Sequence, residues 1–127
     1  MDTKLYLTIV AIVAILYGIA FVVFPANVVV LYGGPAEPHF LMAIQGWGSA
    51  LLALGVIAWF ARDFRDWAAA RGVLIGLVVV DVVGGIINIW ATIQGTVNAL
   101  GWSSTVVYVL LLLGALYCLF TGSRKPA

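Results

Sequence analysis

Charge is what this sequence has least of. Its 127 residues include six Lys and Arg and five Asp and Glu, 9% of the chain, against roughly 25% in ordinary globular domains. A soluble fold of this length leaves about a third of its unfolded-chain surface in water, more than so few charges can cover. The net charge of +1 offers no basic surface for phosphates, which excludes a nucleic-acid partner. A single cysteine excludes an internal disulfide framework and a multi-thiolate metal site. The one histidine, His39, lies outside the apolar runs, so paired transmembrane histidines for a haem are missing. There is no Ser/His/Asp set, no H-E-x-x-H, no phosphate-binding glycine loop and no C-x-x-C. The common hydrolytic, nucleotide and thiol-redox chemistries therefore lack their residues. The sequence points away from an enzyme and identifies no cofactor.

What is abundant is apolar, 65% of the chain. A helical crossing needs about 20 mostly apolar residues, and four such runs are legible at 5–24, 40–60, 72–93 and about 104–120. Twofold alternation of the kind a barrel strand needs is not visible. The expected fold is a single all-α membrane domain over residues 1–127, a four-transmembrane-helix bundle. Pro25 should end the first run, because proline cannot continue the hydrogen-bond ladder. Prolines, glycines and charges gather in the connectors 25–39, 61–71 and 94–103, and the apolar stretch 28–32 is expected to lie in the outer interface.

The basic residues set the orientation. Lys4 precedes the first span, Arg62, Arg65 and Arg71 sit between the second and third, and Arg124 and Lys125 follow the fourth. Four crossings put all six on one side, which makes both termini cytoplasmic. Trp59 and Trp67 then fall near the inner boundary, and Trp90 and Trp102 near the outer one. The first run is too long for a signal-peptide core and no small-x-small site precedes Pro25, so it is read as retained.

One acid lies deep in the apolar runs. Counting from Gly72 at about 1.5 Å per residue puts Asp81 about 14 Å in, near the middle of a ~30 Å hydrocarbon core. An acid at that depth costs roughly 2.5–3.5 kcal/mol on insertion scales and is a functional candidate by default. No Lys, Arg or His occurs within a span to pair with it. Asp81, Gly84, Gly85, Asn88 and Thr92 share one stripe of their helix. The second span offers Gln45, Gly48, Ser49 and Leu52, the fourth Ser104, Tyr108, Ala115 and Cys118, and the first Tyr17 beside Ala14 and Gly18. The expected interior is Tyr17, Gln45, Asp81, Asn88 and Tyr108. The same amides, hydroxyls and glycines are also the ordinary adhesive of membrane bundles, at about 0.6 kcal/mol per hydrogen bond.

Gly48, Gly84 and Gly85 are expected at helix contacts. Gly72 and Gly76 form a G-x-x-x-G pair opposite Asp81, for packing within the chain or for docking a neighbouring subunit. Glu37 and His39 are too few to close a metal site, and Cys118 sits in surroundings that suppress its reactivity. Asp63, Arg65 and Asp66 read as a solvated connector.

Three stretches carry a likeness to a known group: L-Y-G-I-A-F-V-V-F-P at 16–25, M-A-I-Q-G-W-G-S-A-L-L-A-L-G at 42–55 and N-A-L-G-W-S-S-T-V-V-Y at 98–108. In these the chain resembles small four-helix bacterial inner-membrane proteins of the DoxX-like and DUF4345-like sort. The resemblance implies the four-helix fold and a bacterial inner (cytoplasmic) membrane, and it transfers no catalytic role.

Three functional readings follow. The first is a non-enzymatic bundle protein in contact with membrane lipid, acting as a homo-oligomer or as an accessory subunit of a larger membrane complex. The second is a small proton or cation transporter or channel working through Asp81, which would need two or more copies to enclose a pore. The third is a binding protein for a lipid or apolar cofactor, its headgroup oriented by Gln45, Asn88 and the tyrosines.

Overall fold

A computed structural model describes residues 2–122, all in helices and short connectors, with no strand among them. The helices are α1 (Thr3–Val23), α2 (Pro25–Leu31), α3 (Pro38–Ala61), α4 (Trp67–Ile93) and α5 (Gly101–Gly122). Four of them, α1, α3, α4 and α5, are long and apolar enough to cross a bilayer. Arg124 and Lys125, which bear on the orientation, lie outside the described residues.

Local chemistry explains where the helices begin and end. The Asp2 carboxylate accepts from the Leu5 N–H at 2.7 Å and caps α1. Asp66 does the same for α4, accepting from the Ala68 N–H at 3.1 Å. That cap starts α4 at Trp67, five residues before the expected 72, so Trp67 and Arg71 are helical and not part of the connector. Phe24 breaks the ladder ahead of Pro25, yet Pro25 then takes the first position of a new short helix, where its missing N–H costs nothing. The stretch 28–32 is therefore mostly helix. Its Val29 is buried while Val30 and Leu31 point outward. Gly33, at φ +85°, ends α2 in the left-handed region that favours glycine. The Asn98 N–H and side chain then donate to the Tyr32 and Leu31 carbonyls, both at 2.9 Å, tying α2 to the turn between α4 and α5.

The long helices pack as two antiparallel hairpins, α1 with α3 and α4 with α5. Small residues let the backbones approach. A methyl group on Gly48 would stand 2.7 Å from Phe21 Cβ and 3.0 Å from the Gly18 carbonyl, and one on Gly55 would stand 3.1 Å from the Ala11 carbonyl. In the second hairpin the Tyr108 ring lies on Gly84, and Gly85 is in ordinary contact with the same side chain.

The hairpins meet chiefly at the end that carries the termini. Tyr6, Leu7, Ala58, Leu74, Ala115 and Cys118 form the centre of a dry core there, each at most 2% exposed. The outer faces are apolar as well: Leu16, Ile86 and Phe120 are 63%, 62% and 70% exposed. Only hydrocarbon accommodates such a surface, so this is an integral membrane protein. Arg62 stacks over the Trp59 ring at 3.6 Å, and Lys4 pairs with Asp63 at 3.5 Å at an exposed site of little energetic worth.

One expectation is corrected here. Gly72 and Gly76 are not close-packed on any described residue, since a methyl group at either would find no atom within 4 Å. The partner face of α4 is the Asp81 side, and these glycines lie on the opposite, exposed side. The contrast is testable by reversible unfolding in mixed micelles. Gly48→Ala is expected to lower stability by about 1–3 kcal/mol through overpacking. Gly76→Ala is expected to shift it by no more than about 1 kcal/mol, in the stabilising direction. Equal effects would contradict this account of the α1–α3 seam.

Candidate functional site

Beyond the core the hairpins part and leave a cavity of about 690 Å³. Leu77 and Asp81 of α4, with Val10 and Ala14 of α1, border it where the core ends. Val28, Val29 and Tyr32 of the α2 segment cover the opposite end, together with Thr96 and Val97. The two long sides differ. On the α5 side hydrogen bonds tie the chain together: the Tyr6 hydroxyl of α1 donates to the Leu111 carbonyl at 2.7 Å, and the hydroxyls of Tyr32, at the end of α2, and Ser104 share one at 2.8 Å. Between α3 and α4 the lining residues Trp47, Val79, Val83 and Ile87 are also exposed, the last three by 51–63%. The cavity therefore opens sideways between α3 and α4, toward the surface that faces acyl chains.

Asp81 stands midway along α4 at the border of core and cavity. It is 6% exposed, the one charged residue type in the buried set. Its Oδ2 atom is buried and has no hydrogen-bond partner among the described residues. The helix offers no remedy, because its own N–H groups are committed to the ladder and the residues one turn away on either side, Leu77, Val78, Gly84 and Gly85, carry no polar side chain. The described cations, Lys4, Arg62, Arg65 and Arg71, are absent from the lining.

The other expected residues divide. Tyr17, Asn88 and Tyr108 line the cavity with Asp81. Tyr17 stands edge-on to Phe21, with ring centroids 5.9 Å apart. Asn88 is already engaged: its Nδ2 donates to the Gly101 carbonyl at 2.8 Å and to Thr105 Oγ1 at 2.7 Å, which fastens α4 to α5. Gln45 does not line the cavity. It is exposed, and its Nε2 donates to the Val22 carbonyl at 3.1 Å. The reason is the pairing of the helices: α3 packs on α1, so its small and polar stripe turns toward α1 rather than toward Asn88. Ser49 of the same stripe is satisfied within its own helix by the Gly46 carbonyl.

Sequence reasoning missed Tyr6, Tyr32 and Trp47. Tyr6 carried a usable signal, because eleven residues, close to three helical turns, separate it from Tyr17 and place both on one face of α1. Tyr32 and Trp47 carried none, since their roles depend on how α2 folds back and on the gap between α3 and α4.

No three His, Cys, Asp or Glu side chains converge among the described residues. The site's chemistry is thus one carboxyl group, three phenols that line an apolar chamber, and aromatic faces. That combination can bind and orient a molecule with an apolar body and one polar end. No family model, no curated protein and no solved structure matches the chain.

The seam that closes the cavity's far side is open to test. Tyr6→Phe deletes the bond to Leu111 without changing ring packing, and should cost about 0.6–1.7 kcal/mol in micelle unfolding. No loss of stability would mean that this contact does not hold α1 to α5.

Proposed function

We propose that this integral membrane protein is a non-enzymatic binding protein for a lipophilic small molecule. The molecule enters from the bilayer between α3 and α4 and lodges between the hairpins with its polar end at Asp81. The observation that carries this reading is a buried, unpartnered carboxyl oxygen bordering a side-opening cavity of about 690 Å³. That volume falls in the roughly 300–1,000 Å³ range of small-molecule sites. In a bilayer, opening such a gap needs no work against water, because a bound chain and a lipid chain are equally apolar. A conducting path would have to cross the dry core between the cavity and the terminal end, so a channel within one chain is the weaker reading.

The basic residues support an orientation in which the core end is cytoplasmic and the cavity opens in the outer leaflet. With the DoxX-like resemblance, the setting is a bacterial inner membrane. The test is native mass spectrometry of protein extracted from its own membranes in mild detergent. Wild type is expected to carry one additional lipophilic molecule per chain. Val107→Trp, which pushes a larger side chain into the cavity from α5, is expected to lose it. Bare wild-type chain alone, or an adduct unaffected by the tryptophan, would overturn the reading.

A second reading, self-association, is favoured by a specific feature. Gly76 borders a shallow notch of about 180 Å³ formed with Leu54, Ile57, Val73 and Leu77, beside the bare backbone of Gly72. A side chain from a second copy fits such a notch. Single-molecule photobleaching in bilayers should find dimers or larger assemblies in wild type, reduced severalfold in Gly76→Leu. A monomeric wild type would remove this reading and leave ligand binding intact.

A further inference from the structure

The ligand's polar end has a charge that the lining specifies. We infer that it is a cation, and that the site takes an alkylamine or quaternary ammonium amphiphile. The inference rests on the ligand-binding reading above. Three observations carry it.

The first is the charge balance. Among the described residues the cavity is lined by one acid and by no Lys, Arg or His. An anionic headgroup there would set two negative groups together in a medium of low dielectric with no donor cation to receive either. A cationic headgroup brings the counter-charge that none of the described residues supplies to Asp81, whose Oδ2 has no hydrogen-bond partner among them. The second is the wall. Tyr17, Phe21, Tyr32, Phe40, Trp47 and Tyr108 all present to the same chamber. Aromatic faces attract ammonium groups through the ring quadrupole, strongly so for quaternary ammonium in a desolvated site, and they offer nothing comparable to an alcohol. The third is the donor count. A bare metal ion demands several oxygen ligands, about six to eight for calcium, and no cluster of three acidic or His/Cys side chains exists among the described residues. An organic cation needs only one carboxylate and a hydrophobic surround.

Asp81 then forms an ion pair at the border of core and cavity. The Tyr108 ring, which rests on Gly84 one turn along α4 from Asp81, flanks the headgroup, and the alkyl body runs along the valines and the remaining aromatic side chains toward the opening between α3 and α4. Admission from the membrane is consistent with the chemistry, because an amphiphile with one chain partitions into the bilayer before it meets the opening.

The test is equilibrium dialysis of the full chain in phosphatidylcholine nanodiscs, against empty discs of the same lipid. The probes are radiolabelled dodecyltrimethylammonium, dodecanol and dodecyl sulfate, which share a chain and differ in headgroup charge. Dodecyltrimethylammonium is expected to bind at least about tenfold more tightly than dodecanol, and dodecyl sulfate not at all beyond empty discs. Asp81→Asn, which keeps the side-chain shape, is expected to weaken the ammonium about tenfold while leaving dodecanol within about twofold. Equal binding of the ammonium and the alcohol would overturn the cation assignment and leave the binding site standing. No retention of any probe would overturn the site itself. The headgroup series on wild type decides the matter even if Asp81→Asn fails to fold.

Discussion

Helix backbones come together only where side chains are small enough to let them. In a bilayer no hydrophobic force closes the gaps that remain, because lipid tails are as apolar as the side chains they would replace. This constraint shapes the molecule. At the terminal end Ala11, Ala58, Ala61 and Ala115 allow both hairpins to meet in a dry core. Toward α2 the facing residues include Phe21, Tyr32, Phe40 and Trp47, and the hairpins stand apart around a cavity. Hydrogen bonds from α1 and from the end of α2 to α5 hold one side shut, so the gap is left between α3 and α4.

Within that frame Asp81 is the exception to an otherwise well-satisfied interior. Tyr6, Asn88 and Thr92 each direct a donor to a backbone carbonyl, which is how polar groups are tolerated in membrane bundles. Among the described residues Arg62 Nε is the other buried side-chain polar atom without a hydrogen-bond partner, but its guanidinium lies over Trp59 at the end of α3. Asp81 has no such compensation from the chain. An insertion cost of roughly 2.5–3.5 kcal/mol is large beside the ~0.6 kcal/mol that a hydrogen bond between helices returns on average. A ligand that answers the carboxyl group accounts for the residue's position better than packing does.

Much of the architecture was legible because hydrophobic run length and proline placement are local properties. The four long helices follow from 5–24, 40–60, 72–93 and 104–120, with ends moved by the Asp2 and Asp66 caps, which short-range chemistry sets. The stripe holding Asp81, Gly84, Gly85 and Asn88 was legible for the same reason, since a 3.6-residue period is visible in sequence. What the period does not contain is which helix a stripe faces. Gln45 shares a depth with Asn88, yet α3 turns that face to α1. Gly72 and Gly76 carry a packing motif, yet no described residue comes within 4 Å of where a methyl group on either would stand. The cavity was illegible for a deeper reason: it arises from the mismatch between two hairpins, and no single segment encodes it.

The central claim is that the Asp81 carboxyl group receives its partner from a molecule lying between the hairpins. A high-resolution structure of the protein in a lipid nanodisc, prepared from its native membrane, tests this most directly. The account predicts non-protein density in the cavity, with a polar atom within hydrogen-bonding distance of Asp81 Oδ2 and an apolar body reaching the gap between α3 and α4. A closed interface in which α3 packs along α4, with Oδ2 bonded to the chain itself, would contradict it.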